Sequence, residues 1–229
     1  MATAPHAGRN GTRGPYAKTA AKRAAIGKAA FEVVEEVGHD GLTTAAVAER
    51  ADLSERTLTY HFPTRDHLLV AALTHFNDSI QERTALPGSA AWPTDGDLAT
   101  TEQVETIVHN LLRGTASDRG YLRLYVYLVG RSQQPGSAAH AYFREHYAIA
   151  REGMALIMRL LQEAGLARTD RDPEDQARQF LATWEGLQQQ WVVMEDFDLE
   201  AATLRAFLDV TGHDVLRTRT AVEELLQQL

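Results

Sequence analysis

Apolar residues recur at three- and four-residue intervals along most of this chain, the rhythm of helices that bury one face. Ile26, Ala30, Val33, Val34 and Val37 mark a first helix over 16–37, and Gly38 suits the position just past its end. Two short helices follow within 41–65. Thr43 is placed to cap the first, with Val47, Ala48 and Ala51 facing inward. Asp52 interrupts the pattern, since Asp tolerates a left-handed turn better than most side chains. Ser54 caps the second helix, 55–62, and Pro63 stops it. Leu58 and Phe62, four apart, face inward with Leu53 before them, leaving Arg56, Thr57, Thr59, Tyr60 and His61 for the other faces. After Thr64, Leu68, Leu69, Ala72, Leu73, Phe76 and Ile80 predict a fourth helix to about residue 83.

Residues 84–99 contain Pro87, Gly88, Pro93 and Gly96 and read as a loop or linker. Helical patterning resumes over 102–115. The stretch 121–132, YLRLYVYLVGRS, is apolar on nearly every face. That suits a buried helix, the preferred reading, although its tyrosines also fit a buried strand. A long helix is expected over 137–164, closed by Gly165. Asp172-Pro173-Glu174-Asp175 is a helix start: a capping residue, Pro in the first position, acids beside the positive end of the dipole. Ala177, Phe180, Leu181, Trp184, Leu187, Trp191 and Met194 continue that helix. Asp198 caps another through Leu199, Leu204, Phe207, Leu208 and Val210, and Gly212 ends it. A last amphipathic segment spans 213–229. The fold class is all-α, without internal repeats.

Composition adds boundaries. The 229 residues, 44% of them apolar, suffice for one core plus a small second domain. With no cysteine, disulfides and thiolate metal sites are excluded. No secretory signal is evident, and no apolar run approaches the roughly 20 residues of a membrane span. A cytoplasmic protein with no membrane association is the expectation. The net charge of −8 is unevenly placed. Residues 1–30 hold six Lys/Arg (Arg9, Arg13, Lys18, Lys22, Arg23, Lys28) and no acid, so the other 199 residues carry −14. A basic N-terminal region on an acidic body suits a polyanion partner at one end; a solubilising tail is the plainer alternative. Residues 1–15 read as a disordered basic arm.

A short helix braced from behind and presenting donors and a tyrosine has the geometry that enters a DNA major groove. An ordinary helical hairpin with a solvated polar face fits the same pattern. No catalytic or metal motif is present: no phosphate-binding glycine loop, no HExxH, no GxSxG. His140 and His146, six apart, point to different faces of a helix. The aromatic content of the C-terminal region could line an apolar pocket with a few polar tips, or could simply fill a core. The residues concerned are Tyr121, Tyr125, Phe143, Tyr147, Met154, Phe180 and Trp184, with Tyr142 and His146 among them.

The stretch LTTAAVAERADLSERTLTYHFPTRDHLLVAAL resembles the DNA-binding domain of the TetR family of bacterial transcriptional regulators. The L-T-T opening, the A-E-R-A-x-hydrophobic-S turn, T-L-x-Y-H-F, and P-T-R before an apolar helix carry the resemblance, over roughly residues 20–76. It implies a three-helix helix-turn-helix domain at 16–64 and a larger helical ligand-binding and dimerisation domain at 65–229. Their places on the two short helices and at the start of the next suit Thr44, Ser54, Arg56, Thr57, Thr59 and Arg65 to DNA contacts, with Arg56 near a guanine edge, and the resemblance implies phosphate contacts by Tyr60 and His61. The implied partners are double-stranded DNA, a second copy of the chain and a small-molecule effector. The implied function is repression relieved when a small apolar effector releases the protein from a palindromic operator. No enzyme activity, cofactor or metal is expected. Trp184, Leu187, Trp191, Leu204, Phe207 and Leu208 are the expected dimer residues. The sequence departs from the family at Ala45, Asp52, Arg56 and Thr59, which bear on the operator it reads. Two other classes remain: a helical binding protein or enzyme whose hairpin is only structural, and a DNA-binding protein without an effector.

Overall fold

A computed structural model of the chain describes residues 14–83 and 118–213, and the side chains of 19–79 and 118–213. The readings of the N-terminal arm before residue 14, the linker 84–99, the helix 102–115 and the segment beyond 213 lie outside the described residues. Those that are described form eight helices and no strand. In order they are α1 (Gly14–Gly41), α2 (Thr44–Arg50), α3 (Glu55–His61), α4 (Arg65–Arg83), α5 (Arg119–Ser132), α6 (Ala138–Glu163), α7 (Pro173–Met194) and α8 (Leu199–Thr211). The chain divides into two compact units, 1–75 and 76–229.

In the first unit, Ile26, Ala30, Val33 and Val34 of α1 are buried with Val47, Leu58, Leu68, Leu69 and Leu73. Gly38 leaves helical geometry at φ 75°, ψ 166°, a region open essentially to glycine alone, so α1 breaks where the pattern placed its end. Val37, expected to face inward, is instead 56% exposed. Thr43 and Ser54 cap α2 and α3, accepting from the amides of Ala46 and Thr57. Asp52 sits at φ 53° in the turn between them. The Leu53 amide donates to Ala48 O at 2.9 Å, which closes that turn. α1 and α4 approach closely at Gly27: a Cβ there would lie 2.9 Å from the Ala71 carbonyl oxygen.

In the second unit, 121–132 is helix rather than strand, beginning at Arg119 under an Asp118 cap. Leu122, Leu124 and Leu128 are buried while Arg123 is exposed, so even this apolar stretch keeps a wet side. Ser137 caps α6, Asp172 caps α7 through two amides, and Asp198 caps α8. Gly165 and Gly212 take left-handed backbone at the ends of α6 and α8. Met154, Met158, Leu161, Phe180 and Phe207 form the core that α6, α7 and α8 share.

Candidate nucleic-acid interface and effector site

The face of α3 opposite Leu58 is the exposed one. Arg56, Thr59 and Tyr60 are all exposed, Tyr60 at 84%, while Leu58 is wholly buried. Arg56 has no partner among the described residues, so its guanidinium keeps its donors. The Thr59 hydroxyl donates to Glu55 O at 2.7 Å, which ties it to the helix's own backbone. Ser54 Oγ and Thr57 Oγ1 lie 2.9 Å apart at the start of the helix. Tyr60 meets His61 edge-on, with centroids 5.2 Å apart. Thr44, half-buried, opens α2.

Two arginines brace this surface from behind. Arg23 of α1 donates to His61 O at 3.1 Å and lies over the Phe62 ring, 4.5 Å from its centroid. It thereby satisfies a carbonyl at the end of α3 and adds a cation–π contact. Arg65, half-buried, donates through Nε to Leu42 O at 3.1 Å and through Nη2 to His39 O. Its guanidinium therefore joins the start of α4 to the chain leaving α1. Sequence placed Arg65 among the phosphate contacts without signalling these carbonyls, because a backbone oxygen has no residue type.

The second unit gathers four of the seven aromatic-set residues into one cluster. Tyr121 and Tyr125, one turn apart on α5, lie 5.9 Å apart, and Tyr125 meets Phe143 of α6 edge-on at 5.3 Å. Phe143 in turn lies 5.5 Å from Tyr147. Met154, Phe180 and Trp184 belong instead to the core of α6, α7 and α8, with Phe180 stacked on Trp184 and edge-on to Phe207.

The cluster is wired by polar groups that the aromatic pattern did not reveal. Tyr125 donates to Glu185 Oε1 at 2.9 Å, and Tyr147 donates to Glu185 Oε2 at 3.2 Å. Because Tyr125 gives its one proton to the carboxylate, His146 Nε2, 3.4 Å away, must be the donor to the phenol oxygen. Asn77 accepts from Tyr121 at 3.1 Å and donates to Tyr142 at 2.6 Å. Burial raises the pKa of Glu185, opposed by the two tyrosine bonds, and lowers that of His146. Burial also pushes Tyr142 up to about 12 and holds Tyr121 and Tyr125 above the ordinary phenol value. One turn beyond Glu185 lies Gln188, 4% exposed, whose Oε1 has no partner among the described residues. A signal did exist: Gln188 takes a slot in the apolar rhythm of Leu181, Trp184 and Trp191, and a polar residue there needs a partner.

Among the described residues, no group of three or more His, Asp or Glu could hold a metal ion. No helix among them is long and apolar enough to cross a membrane.

A helix-turn-helix in the first unit and an all-helical second unit define a class, the one-component regulators that join a DNA-reading domain to a helical one. The sequence matches the description "Bacterial regulatory proteins, tetR family" over residues 26–72, and "BetI-type transcriptional repressor, C-terminal" over residues 100–213. The chain belongs to the TetR family; it is a DNA-binding transcriptional regulator and not an enzyme. Solved structures share the fold. A TetR-family regulator from Rhodococcus sp. is 24% identical with a TM-score of 0.63, over 84% of this chain and 99% of that one. Thermus thermophilus FadR, a TetR-family repressor solved with lauroyl-CoA, is 19% identical with a TM-score of 0.60, over 82% and 92%. A transcriptional regulator from Saccharomonospora viridis, solved with choline, is 17% identical with a TM-score of 0.62, over 83% and 96%. No curated protein sequence matches the chain.

Proposed function

We propose that the protein is a cytoplasmic repressor that binds a palindromic operator as a homodimer and is released by a small molecule held in the second unit. The observation that carries the DNA part is the exposed face of α3, with Arg56, Thr59 and Tyr60 outward over a buried Leu58. In this reading 16–64 is the DNA-binding domain and 65–229 the effector and dimer domain. α3 enters the major groove. Arg56 offers two parallel donors to guanine O6 and N7, and the Thr59 methyl packs against a thymine methyl. Thr57 completes the base-facing set, while Thr44, Ser54, Tyr60, His61 and Arg65 hold phosphates. A gel shift with fragments of the source genome, followed by footprinting of the retained one, tests this. A symmetric footprint with two half-sites about one helical turn apart is the expected result. Retention of every fragment alike sinks the reading.

The effector part rests on the second unit's aromatic cluster. Tyr121, Tyr125, Phe143 and Tyr147 would make the site walls, while Met154, Phe180 and Trp184 pack in the core of α6, α7 and α8. The lauroyl-CoA and choline bound to two of the structurally similar regulators belong to those proteins. They support only the idea that such a helical domain can host a small molecule. Release follows from linkage: a ligand preferring the DNA-incompetent arrangement lowers operator affinity by its differential binding energy. The dimer would form through α7 and α8, where Val193 is 80% and Met194 61% exposed beside half-buried Leu187, Trp191 and Leu208. Phe207, at 1% exposure, lies in the core of its own chain and leaves the expected interface set.

A further inference from the structure

We propose that the effector is an organic cation bearing N–H groups, a primary or secondary ammonium on an aromatic or aliphatic body, with its charge on Glu185 and an N–H on Gln188 Oε1. The inference rests on the effector reading above and specifies the ligand's chemistry. Three observations support it. First, Glu185 is half-buried and ionisable, yet among the described residues no cationic side chain pairs with it. Arg119 and Arg123 of α5 hold Glu195 at 3.2 and 3.0 Å, and burial keeps the nearby His146 neutral.

Second, the acceptors outnumber the donors. A carboxylate offers about four lone-pair positions, of which Tyr125 and Tyr147 fill two. Gln188 Oε1 is buried and unmatched among the described residues, and it stands one helical turn from Glu185 on the same face of α7. An unmatched buried acceptor is costly, so a ligand supplying donors is favoured over one that supplies acceptors. Third, the two phenols on the carboxylate belong to an aromatic cluster: the Tyr125 and Tyr147 rings lie 5.3 and 5.5 Å from Phe143. Aromatic faces attract a cation and bury its apolar body. A neutral apolar ligand would leave Glu185 and Gln188 unmatched, and an anion would meet Glu185 directly.

Three probes of one shape separate the possibilities: 2-phenylethylammonium, its N,N,N-trimethyl derivative and 2-phenylethanol. Their affinity for the full-length protein is read by calorimetry, and their effect on operator binding by fluorescence anisotropy. The ammonium is expected to bind about tenfold more tightly than the alcohol and several-fold more tightly than the trimethyl form, which has no N–H. Glu185→Gln should erase the advantage over the alcohol, and Glu185→Asp should restore part of it. Gln188→Met, which leaves the carboxylate in place, should narrow only the gap between the ammonium and the trimethyl form. It also keeps the test usable if Glu185→Gln fails to fold. Equal binding of alcohol and ammonium, no binding by the ammonium, or an advantage that survives Glu185→Gln overturns the proposal. A trimethyl form as tight as the ammonium overturns the N–H contact. Cation binding that leaves operator affinity unchanged upholds the site but sinks the effector reading; release by a neutral probe alone does the reverse.

Discussion

Arg56 and Arg65 are both arginines of the DNA-binding unit, yet the structure gives them different surroundings. Arg56 is exposed and unpartnered among the described residues, whereas Arg65 already donates to Leu42 O and His39 O. Arg56→Ala is therefore expected to cost about 1–3 kcal/mol on the specific operator and to relax preference at one base pair. An unchanged preferred sequence, with affinity lost only through the salt slope, would make Arg56 a phosphate contact. Arg65→Ala removes donors from two carbonyls, so thermal melting should show a loss of about 1–3 kcal/mol in stability. That loss should accompany a salt dependence shallower by about one phosphate. Melting at the wild-type temperature would mean those carbonyl bonds contribute nothing. Glu185 gives a pH-dependent test. Burial raises its folded pKa above the ordinary 4.5, so the protonated form favours folding. That stabilisation is present below 4.5 and lost as pH rises through the folded value. Glu185→Gln should therefore melt higher than the wild type at pH 7.5, with the gap closing as pH approaches 4.5. His146 bonds the same Tyr125 phenol and also titrates, so the comparison is repeated in a His146→Gln background to isolate Glu185. A variant that melts lower at pH 7.5 would mean that the tyrosine bonds to the charge outweigh its burial.

Helix α1 meets α4 at Gly27, where a side chain would press on the Ala71 carbonyl, while Gly130 of α5 has open space around it. Alanine is the better helix former by about 1 kcal/mol, so Gly130→Ala should stabilise by about 0.5–1 kcal/mol. Gly27→Ala gains the same propensity and loses more to overpacking, for a net loss of about 1–2 kcal/mol. Chemical denaturation of both variants checks the pair, and a gain at Gly27 would show that α4 yields there. These elements also mark what the sequence could convey. Caps at Thr43, Ser54, Asp172 and Asp198 were legible because a capping bond is local, made by a side chain to an amide two or three residues on. The helical state of 121–132 was harder to read, since periodicity cannot separate a buried helix from a buried strand. Contacts between distant positions, such as Arg23 on His61 O or Glu185 on Tyr125, left no local trace. The exposed face of α3 was readable because Leu58 and Phe62 define its opposite. The aromatic cluster of the second unit was half readable: its rings were visible by type, its carboxylate hidden among ordinary helix-surface glutamates.

The proposed palindromic operator calls for two reading surfaces, so the protein's mass in solution is the first property to measure. Light scattering at micromolar concentration should give twice the 25.3 kDa of one chain. A monomeric mass at that concentration would remove the dimer reading and, with it, the palindromic operator. Val193→Asp, placing a charge on an 80% exposed apolar position, should weaken the dimer if α7 contributes to the interface. The bonds from His146 through Tyr125 to Glu185 have a further consequence. An ionised carboxylate has no proton to give, so that row can run in one direction only, and the imidazole is pinned with its hydrogen on Nε2. The two ring nitrogens of His146 then form a spectroscopic reporter inside the protein. Nitrogen NMR of a histidine-labelled sample would show one fixed tautomer, where a free imidazole averages two. Any population carrying hydrogen on Nδ1 alone would signal that Tyr125 has turned its proton away from Glu185.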